Sequence, residues 1–402
     1  MAWDVRPTKD LNEFKGAVGA ISHYFGGGPD DERAERFAKV LPLERMHAAF
    51  DGDAVVGGAG AFPFQLTVPG GIVPCGGVTV VGVLPTHRRR GVLTAMMRAQ
   101  LEDIRDRGEP IAALWASEEV IYGRFGYGMA SLAGSIELPR EYAAFARPFA
   151  PEGRLRFVEA EEAAQLFPRV WNAVRRRTPG MLSRTRAWWE FRILFDPPGH
   201  EGGAKRFVVL ERDGRPEGYA VYRHKPNWEN GVSNSELEVV EAIALDGRAT
   251  AEVWRYLFDV DWAARITAFL LPVDHPLLFL LATPRRMRMR VGDGVWARLV
   301  DVGAALSARS YAADGAVVFD VIDDFCPWNT GRWRLADGVA KRSQASPQLR
   351  CDVTALGSAF LGGFSFSELV RAGRIEELRR GAAARADAMF ASERAPWCPE
   401  IF

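Results

Sequence analysis

The sequence predicts an α/β (α+β) protein of several domains in which helices flank mixed sheets, and three observations support this prediction. Strand-like alternation and helical spacing follow one another along the first 150 residues. A similar order recurs after Pro151, without obvious sequence identity between the two parts. The length of 402 residues exceeds one ordinary hydrophobic core, so about two to three domains are expected. Elements mixed in this order are typical of helices layered on sheets.

The first part contains a strand hairpin followed by a helix. Strand-like runs at 54–68 and 77–84 flank Pro69-Gly70-Gly71, a turn signal with the spacing of a hairpin. Helical spacing from 92 to 106 ends at Gly108-Glu109-Pro110, and a short buried strand follows at 111–115. The other elements predicted here are a strand at 2–6 and helices at 11–25 and 31–40, the second capped by Asp30 or Asp31.

The remainder of the chain shows the same mixture of elements. After Pro151 the predicted strands are 155–158, 206–212, 217–223, 237–245 and 267–271, and the predicted helices are 160–177, 184–194 and 249–263. Beyond residue 292 the predicted strands are 316–322 and 331–335, and the predicted helices are 366–372 and 374–391. The sequence contains no low-complexity segment and no charged tail.

Composition and charge argue against several classes of protein. Lys and Arg together number 51, as do Asp and Glu, so no overall basic field attracts nucleic acid. The four cysteines form no CxxC pair, which argues against a disulfide framework and a zinc site, and no metal site is expected. No stretch reaches the ~18 apolar residues of a membrane span, and the charged N-terminus lacks the apolar core of a signal peptide. We therefore expect a cytoplasmic protein with no nucleic-acid or membrane partner.

The most informative stretch is VTVVGVLPTHRRRGVL at residues 78–93, where a strand runs into an arginine-rich turn that opens a helix. The first backbone N–H groups of a helix lack internal partners and, together with the helix dipole, favour an anion. Gly91 lets a diphosphate approach the backbone, and Arg88, Arg89 and Arg90 add positive charge. The turn therefore predicts a phosphate site. The alternative is an exposed basic helix start with three solvated arginines.

The pattern Arg88-x-x-Gly91-x-Leu93 after a strand resembles the coenzyme A pyrophosphate loop of the GCN5-related N-acetyltransferases (the GNAT superfamily). That loop is usually written R/Q-x-x-G-x-G/A, so Leu93 departs from it. Together with ASEEVIYGRFGYG at 116–128, however, PTHRRRGVL resembles the Eis (enhanced intracellular survival) branch of the superfamily, in which leucine is normal at this position. The resemblance extends over the whole chain, including its length, its tandem organisation and its C-terminal Phe402.

The resemblance implies three domains and an activity. Residues 1–150 would be a catalytic GNAT domain, 151–292 a second GNAT-like domain without the cofactor loop, and 293–402 a sterol-carrier-protein-like α+β domain. It also implies a homo-oligomer, a hexamer, that uses acetyl-CoA as cosubstrate and acetylates amines. In this family the acceptors are often aminoglycosides, modified at more than one position.

The same resemblance assigns cofactor-binding residues. The strand backbone would pair with the pantetheine arm, the turn would hold the pyrophosphate, and two polar residues would lie beside the pantetheine. These residues are Val81, Gly82 and Val83 on the strand, Arg88, Arg89, Arg90, Gly91, Val92, Leu93 and Thr94 in the turn and helix start, and Ser117 and Glu118 beside the pantetheine. In the second repeat the corresponding turn, 245–250, lacks the R-x-x-G spacing, so we expect that domain not to bind the cofactor.

Tyr122 is the predicted general acid, because it matches the tyrosine that donates a proton to the departing thiolate in the family. Tyr122 comes just after the strand that would carry the cofactor arm, so its hydroxyl would be within reach of the sulfur. A free tyrosine has a pKa of ~10 and an ordinary thiol ~8.5, so hydrogen-bond stabilisation of the thiolate matters alongside full proton transfer. The alternative is a half-buried aromatic that holds a turn, a role that Tyr127 also fits.

The sequence ends in APWCPEIF at 395–402, an apolar segment stiffened by two prolines, whereas frayed termini are usually polar. In the Eis family the terminal phenylalanine carboxylate reaches the GNAT domain as general base, which assigns this role to Phe402. A terminal carboxyl has a pKa of ~3.5 and an alkylammonium ~10, so we interpret the carboxylate mainly as an anchor that orients the amine. The alternative is a terminus docked only for stability.

The acceptor and the function class stay open at this point. Glu400, Asp31 and Glu32, with Asp30, are candidate partners for a cationic acceptor, each also explicable as a surface charge or helix cap. The acceptor could be an aminoglycoside, another polyamine-like molecule or a protein lysine, because acceptor pockets are built from loops. The rival functions are a non-catalytic acyl-CoA sensor and a lipid carrier. Aromatic residues for such a carrier's cavity are Trp328, Trp333, Phe360, Phe364 and Phe366.

Overall fold

The computed structural model describes residues 3–26, 31–197 and 202–402. The chain divides into two compact units. Unit 1 comprises Met1–Ser131, Val295–Pro396 and Ile401–Phe402, and unit 2 comprises Leu132–Gly294 and Trp397–Glu400. The described residues contain no helix that is both long and apolar enough to cross a membrane.

The helices and strands follow in chain order. Up to residue 131 they are β1 (Asp4–Pro7), α1 (Leu11–Ser22), α2 (Asp31–Ala38), β2 (Met46–Asp51), β3 (Ala54–Val68), β4 (Gly71–Val83), α3 (Val92–Asp106), β5 (Ile111–Leu114), α4 (Glu119–Tyr122) and β6 (Gly128–Met129). Up to residue 294 they are β7 (Leu132–Pro139), β8 (Arg154–Val158), α5 (Ala160–Arg175), α6 (Arg186–Trp188), β9 (Lys205–Arg212), β10 (Arg215–Lys225), β11 (Trp228–Glu229), β12 (Val232–Ser233), β13 (Ser235–Ala244), α7 (Gly247–Asp259), β14 (Ala263–Leu271), α8 (Leu277–Leu280) and β15 (Arg290–Asp293). The remaining elements are β16 (Trp296–Leu299), α9 (Val302–Ser307), β17 (Ala316–Ile322), β18 (Gly331–Ala336), β19 (Val339–Arg342), β20 (Leu349–Asp352), α10 (Val353–Phe360), α11 (Phe366–Arg371), β21 (Ile375–Glu377) and α12 (Ala382–Phe390).

The first sheet of unit 1 has the strand order β1-β2-β3-β4-β5-β16-β6. Most neighbours are antiparallel, whereas β4 and β5 are parallel because α3 crosses between them. Helix α3 buries the side chains of Met96, Met97, Leu101 and Ile104, which recur at helical spacing and so share one face. Strand β16 joins the sheet between β5 and β6, although about 180 residues separate it from β5 along the chain.

The second sheet of unit 1 has the order β19-β18-β17-β20-β21. Its core is aromatic: the Phe366 ring lies 5.6 Å from that of Phe319 and 4.8 Å from that of Phe390. Phe360 and Trp333 are also buried. Because these side chains pack as core, their arrangement gives no support to a lipid-carrier function.

Unit 2 repeats the plan of the first sheet, with the order β15-β7-β14-β13-β10-β9-β8. Here β13 and β14 are the parallel pair, and α7 crosses between them. Helices α5 and α7 each bury one apolar face, centred on Trp171 in α5 and on Trp254 and Leu257 in α7. The repeat predicted from the order of elements is therefore present.

Two predicted helices differ from the structure. Residues 374–391 contain strand β21 before helix α12, because Ile375 pairs with Cys351 of the neighbouring strand β20. Residues 184–194 form only the short α6 and a π-helical turn, Trp189–Ile193. Strand β4 also begins earlier than predicted, at Gly71, directly after the turn at Pro69 and Gly70.

Candidate active site

The candidate site of unit 1 lies where strands β4 and β5 part. Their parallel pairing consists of Cys75 with Ile111, Gly76 with Ala112 and Gly77 with Ala113. Beyond Gly77 the two strands line opposite sides of a pocket, through residues 78–81 of one and residues 115–117 after the other. A sheet that opens in this way leaves main-chain groups available to a ligand.

A β-bulge in β4 lies at the same place. Gly58 of β3 pairs with Gly82, but Gly60 pairs with Thr79, so Val80 and Val81 stand opposite the single residue Ala59. Val80 has a φ of 46°, a value that a β-branched residue rarely adopts. The bulge leaves Val80 and Val81 out of the regular strand ladder, and both residues line the pocket.

The pocket has a volume of about 470 Å³ and a mainly apolar lining. Helix α1, the bulged part of β4, the residues after β5 and the last two residues of the chain contribute to it. The lining residues are Val18, Ile21, Ser22, Val78, Thr79, Val80, Val81, Trp115, Ala116, Ser117, Tyr122, Ile401 and Phe402. The structure thus brings the predicted acid, Tyr122, and the predicted base, Phe402, to one pocket.

The arginine-rich turn leads from β4 into α3. Gly91 is the N-cap of α3, with a φ of 86° and no capping side chain, so the first amides of the helix stay open to an anion. Arg88, Arg89 and Arg90 are exposed. The indole N–H of Trp3 donates to the carbonyl of Arg90 at 2.9 Å, and the Arg90 guanidinium lies 5.0 Å from the centre of the Trp3 ring. Contacts with Trp3 therefore fix the turn, while the guanidinium groups of its three arginines remain exposed.

Aromatic and imidazole side chains brace the same turn. The Tyr24 hydroxyl donates to the carbonyl of Val83 at 2.6 Å, and Arg88 lies over the Tyr24 ring at 5.3 Å. His87 lies between Thr86 and Asp51, with its Nε2 3.1 Å from the Asp51 carboxylate. Both ring nitrogens of His87 thus have protein partners.

Tyr122 ends the short helix α4 with 6% of its surface exposed. Burial raises the pKa of its phenol above the ordinary value, and a hydrogen bond with Ser117 opposes part of this shift. The hydroxyl therefore keeps its proton throughout the neutral pH range. A protonated phenol on the wall of the pocket can donate to a group that develops negative charge there.

Phe402 enters the pocket against the sheet. Its ring lies 5.2 Å from that of Phe64 at an angle of 77°, an edge-to-face contact. The same two rings lie over Gly77, where an added Cβ would come within 2.3 Å of Phe64 and 3.3 Å of Phe402. The last residue is therefore seated in a specific place beside the point where β4 and β5 part.

The other predicted residues lie around this pocket. Val81 and Ser117 line it, and Val83 follows in the same strand. Gly82 is buried beneath α1, where an added Cβ would lie 2.7 Å from the Cα of Ile21. Like Gly82, Val83 and the residues of the arginine-rich turn, four further predicted residues lie outside the pocket lining. They are Val92, Leu93 and Thr94 in the first turn of α3 and the exposed Glu118 before α4.

Sequence reasoning did not identify the wall formed by α1. Val18, Ile21 and Ser22 line the pocket, but their spacing is also that of an ordinary amphipathic helix. Trp115 was expected only as a strand residue, and Ile401 had no assigned role. Residues of these types carry no distinguishing signal until the fold places them together.

The acidic candidates for the acceptor are placed differently from one another. Asp31 pairs with Lys15, and Glu32 is exposed, whereas Asp30 lies outside the described residues. Glu400 is buried in unit 2 against Arg184, which corrects its assignment as an acceptor contact. Among the described residues, no three His, Cys, Asp or Glu side chains are grouped to hold a metal ion.

Three family models match the chain. Two are described as an acetyltransferase (GNAT) domain and match residues 4–130 and 180–299. The third is described as a sterol carrier protein domain and matches residues 302–399. These matches confirm the predicted tandem GNAT domains followed by a sterol-carrier-like domain.

Similar proteins match almost end to end. An uncharacterized N-acetyltransferase of Streptomyces avermitilis is 44% identical over 388 residues, which cover 94% of each chain. N-acetyltransferase Eis of Mycobacterium tuberculosis is 35% identical over 387 residues, which cover 91% of each chain. The crystal structure of Eis1 from Mycobacterium abscessus has a TM-score of 0.87 and 34% identity, and the match covers 99% of this chain and 100% of that chain. This chain is therefore an N-acetyltransferase that belongs to the Eis family of the GNAT superfamily.

Proposed function

We propose that the pocket of unit 1 binds acetyl-CoA and that the protein transfers its acetyl group to a primary amine. The observation that carries the proposal is that a buried, protonated phenol and the last residue of the chain share one pocket with a bulged strand. An open helix N-terminus flanked by three arginines stands at the end of the same strand. These are groups that a diphosphate, a thioester and a leaving thiolate would use.

The residues fit the cosubstrate in three places. The amides at the start of α3, with Arg88, Arg89 and Arg90, would hold the pyrophosphate. The bulged backbone at Val80 and Val81 would bind the pantetheine arm and the carbonyl through groups that the ladder does not use. Acetyl-CoA itself supplies an activated acetyl group.

Two groups would handle the protons. Tyr122 would donate a proton to the leaving sulfur, because burial keeps its hydroxyl protonated. The α-carboxylate of Phe402 would orient the cationic amine and receive its proton. A terminal carboxylate whose acid has a pKa of ~3.5 is too weak a base to deprotonate a free ammonium of pKa ~10. The proton transfer therefore accompanies formation of the new C–N bond or passes through water. The carboxylate therefore acts first as an electrostatic anchor.

The finer assignments rest on kinship with Eis proteins. We propose an aminoglycoside-like amine as acceptor, with polyamine-like molecules and protein lysines as the alternatives, and a cytoplasmic hexamer as the working form. The three segments 1–150, 151–292 and 293–402 are proposed as its domains. A non-catalytic acyl-CoA sensor is the rival class, and it would bind acetyl-CoA without amine-dependent turnover.

The test is release of free thiol from acetyl-CoA with a panel of aminoglycosides and simple polyamines. It compares the intact protein with one extended by a few residues after Phe402. Amine-dependent release that collapses on extension supports the transferase and its terminal carboxylate. Release that survives extension removes Phe402 from the mechanism, and binding of acetyl-CoA without release by any amine contradicts the transferase.

A further inference from the structure

Unit 2 contains a second cleft of the same construction as the pocket of unit 1. Strands β13 and β14 pair in parallel from Ser235 to Val239, and their pairing ends there. On the other side of β13, Val221 pairs with Glu241 and Tyr222 with Val239, so Val240 is left over as a bulge. A splayed parallel pair with a bulge beside it thus occurs in both units.

The second cleft is occupied by the chain's own segment Trp397–Glu400, which belongs to unit 2. The Trp397 indole N–H donates to the carbonyl of Leu270 at 2.6 Å, and its backbone N–H donates to Pro179 at 2.8 Å. The ring is 8% exposed and packs in the core formed by α5 and strands β9, β10 and β13. Pro399 lies against the same two splayed strands.

Glu400 is held at the end of this segment by a buried guanidinium. Nε of Arg184 donates to its carboxylate at 2.6 Å, while the two terminal nitrogens of Arg184 donate to Glu241 at 3.0 and 2.5 Å. The exposed fractions of these side chains are 0% for Arg184, 3% for Glu400 and 7% for Glu241. One arginine therefore joins a carboxylate of β13 to a carboxylate of the C-terminal segment.

Aromatic rings complete the enclosure of Arg184. Its guanidinium lies 3.3 Å from the centre of the Trp171 ring and 4.5 Å from that of Trp189, and Tyr219 donates to Glu241 at 2.7 Å. Burial alone would lower the pKa of Arg184, but the two carboxylates raise it, so the guanidinium stays charged. Burial raises the pKa of Glu400, against the opposing effect of Arg184. The guanidinium of Arg184 is therefore fixed in position by two carboxylates and two indole rings.

We propose that the cleft between β13 and β14 is a binding site for the segment Trp397–Glu400, and that Arg184, through Glu400, is a positioning residue for Phe402. Only Ile401 separates Glu400 from Phe402, and each residue spans at most about 3.6 Å, so fixing Glu400 restricts where Phe402 can lie. The second GNAT-like domain then serves the reaction without binding a cofactor. The positioning role rests on the proposed function of the Phe402 carboxylate, whereas occupation of the cleft does not.

Glu400→Ala is the main test variant, with Arg186→Ala as matched control. Removing the Glu400 carboxylate leaves Arg184 paired with Glu241 and stacked on Trp171, so we expect a folded protein, verified by thermal unfolding. Arg186 is two residues from Arg184, but its side chain is 89% exposed and pairs with Glu190 on the same turn. Glu400→Gln keeps the shape and one acceptor oxygen, and it should give an intermediate result.

The first readout needs no turnover. Carboxypeptidase release of Phe402 and Ile401, followed by mass spectrometry, reports how often the segment leaves its site. Glu400→Ala should speed this release about tenfold or more, and Arg186→Ala should leave it unchanged. Release from Glu400→Ala at the rate of the parent protein would overturn the binding site, whether or not an amine substrate has been found.

The second readout separates positioning from structure. In Glu400→Ala we expect kcat to fall about ten- to hundredfold, because the carboxylate is misplaced, with an unchanged Kd for acetyl-CoA. A faster carboxypeptidase release with unchanged kcat would overturn the positioning role. The proposed role of the Phe402 carboxylate fails on a different observation, namely turnover that survives extension after Phe402. The transferase itself fails if acetyl-CoA binds but no amine causes thiol release, so these failures are distinguishable from one another.

Discussion

The two splayed clefts of this chain share their strand geometry and differ in the N-cap of the crossover helix that follows the bulged strand. In unit 1 the crossover helix begins at Gly91, whose lack of a side chain leaves the first amides of α3 open. In unit 2 the crossover helix α7 has Asp246 as its N-cap, and the Asp246 carboxylate accepts from the amide of Ala249 at 2.7 Å. A side-chain carboxylate thus satisfies the amide that an incoming phosphate would need.

The interiors of the two clefts also differ, because one is open and the other is filled. The first is an open pocket with the phenol of Tyr122 on its wall, and the second contains Trp397 and leads to Arg184 and Glu400. The two clefts therefore share the frame of bulge and parallel strands, but they differ at the helix cap and in the segment seated between the strands. These differences are the basis for the expectation that only the first cleft binds acetyl-CoA.

The largest expected effect comes from Tyr122→Phe, which removes the donor and keeps the ring. We expect kcat to fall about a hundredfold with little change in acetyl-CoA affinity, because general acid catalysis contributes on this scale. Thiol-release kinetics and equilibrium binding measure the two quantities. Tyr127→Phe is the control, since that hydroxyl is buried without a hydrogen-bond partner among the described residues and its ring is 6.2 Å away. Equal losses in the two variants would contradict an acid role for Tyr122.

Gly91→Ala tests the open helix cap. With a φ of 86° an alanine costs about 1–2 kcal/mol, so the turn shifts to relieve it, and acetyl-CoA should bind about tenfold more weakly. Gly108→Ala is the matched control, because Gly108 has a φ of 73° after the other end of α3 and, like Gly91, meets nothing within 4 Å of an added Cβ. Both variants should lose similar stability in urea, but only Gly91→Ala should weaken binding.

The stability of unit 2 should depend on acid through His275. Burial lowers the pKa of this imidazole from 6.5 to about 3, and its Nδ1 accepts the amide of Leu277 at 3.1 Å. Below pH 6.5 the imidazole of His275 is protonated in the unfolded chain but stays neutral in the folded chain down to about pH 3. Its contribution to the free energy of unfolding is therefore fully present above pH 6.5 and is lost as the pH falls toward 3. The decline reaches about 1.4 kcal/mol per pH unit.

Urea unfolding at pH 7 and pH 5 measures this effect. His275→Gln, whose amide oxygen can still accept from Leu277, should unfold with a smaller pH dependence than the parent. A pH dependence identical in the two proteins would remove His275 from the acid response.

The smallest effect is expected at the cap of the second cleft. Asp246→Ala should cost about 1 kcal/mol of stability and leave turnover unchanged, because it removes a cap outside the catalytic pocket. Calorimetric titration should give one acetyl-CoA per chain in both proteins. Two sites per chain in the parent would contradict the difference between the clefts.

Local signals predicted much of this molecule. The arginine-rich turn and helix α3 follow from a strand, a glycine and a helical pattern that are contiguous in sequence, whereas Tyr122 was identified through the resemblance to the family. The tandem plan also followed from the order of elements. Long-range pairing was not predictable in the same way: Ile375 looks helical by its neighbours, but the edge of β20 makes it part of a strand.

The missing parts of the site are those made by contacts between distant segments. The bulge at Val80 depends on how β4 pairs with β3, and no residue in VTVVGV marks it. Glu400 was a candidate acceptor contact or a surface charge because it is next to the C-terminus, yet it is enclosed by Arg184, 216 residues earlier. Charge alone did not reveal this partner, because the sequence has many arginines and only the fold selects one.

The position of strand β16 in the first sheet affects how the chain folds during synthesis, because β5 lacks this neighbour until β16 has been made. Trp296–Leu299 covers the edge of β5, and β6 is attached to the sheet through β16. While the ribosome is still making residues 130–295, the β5 edge that leads into the future pocket remains unpaired and open to association with other chains. Closing this edge requires a contact across about 180 residues, which makes this step slow relative to local hairpins and helices. A fragment that ends before Trp296 should therefore aggregate, although it carries the whole phosphate-binding turn.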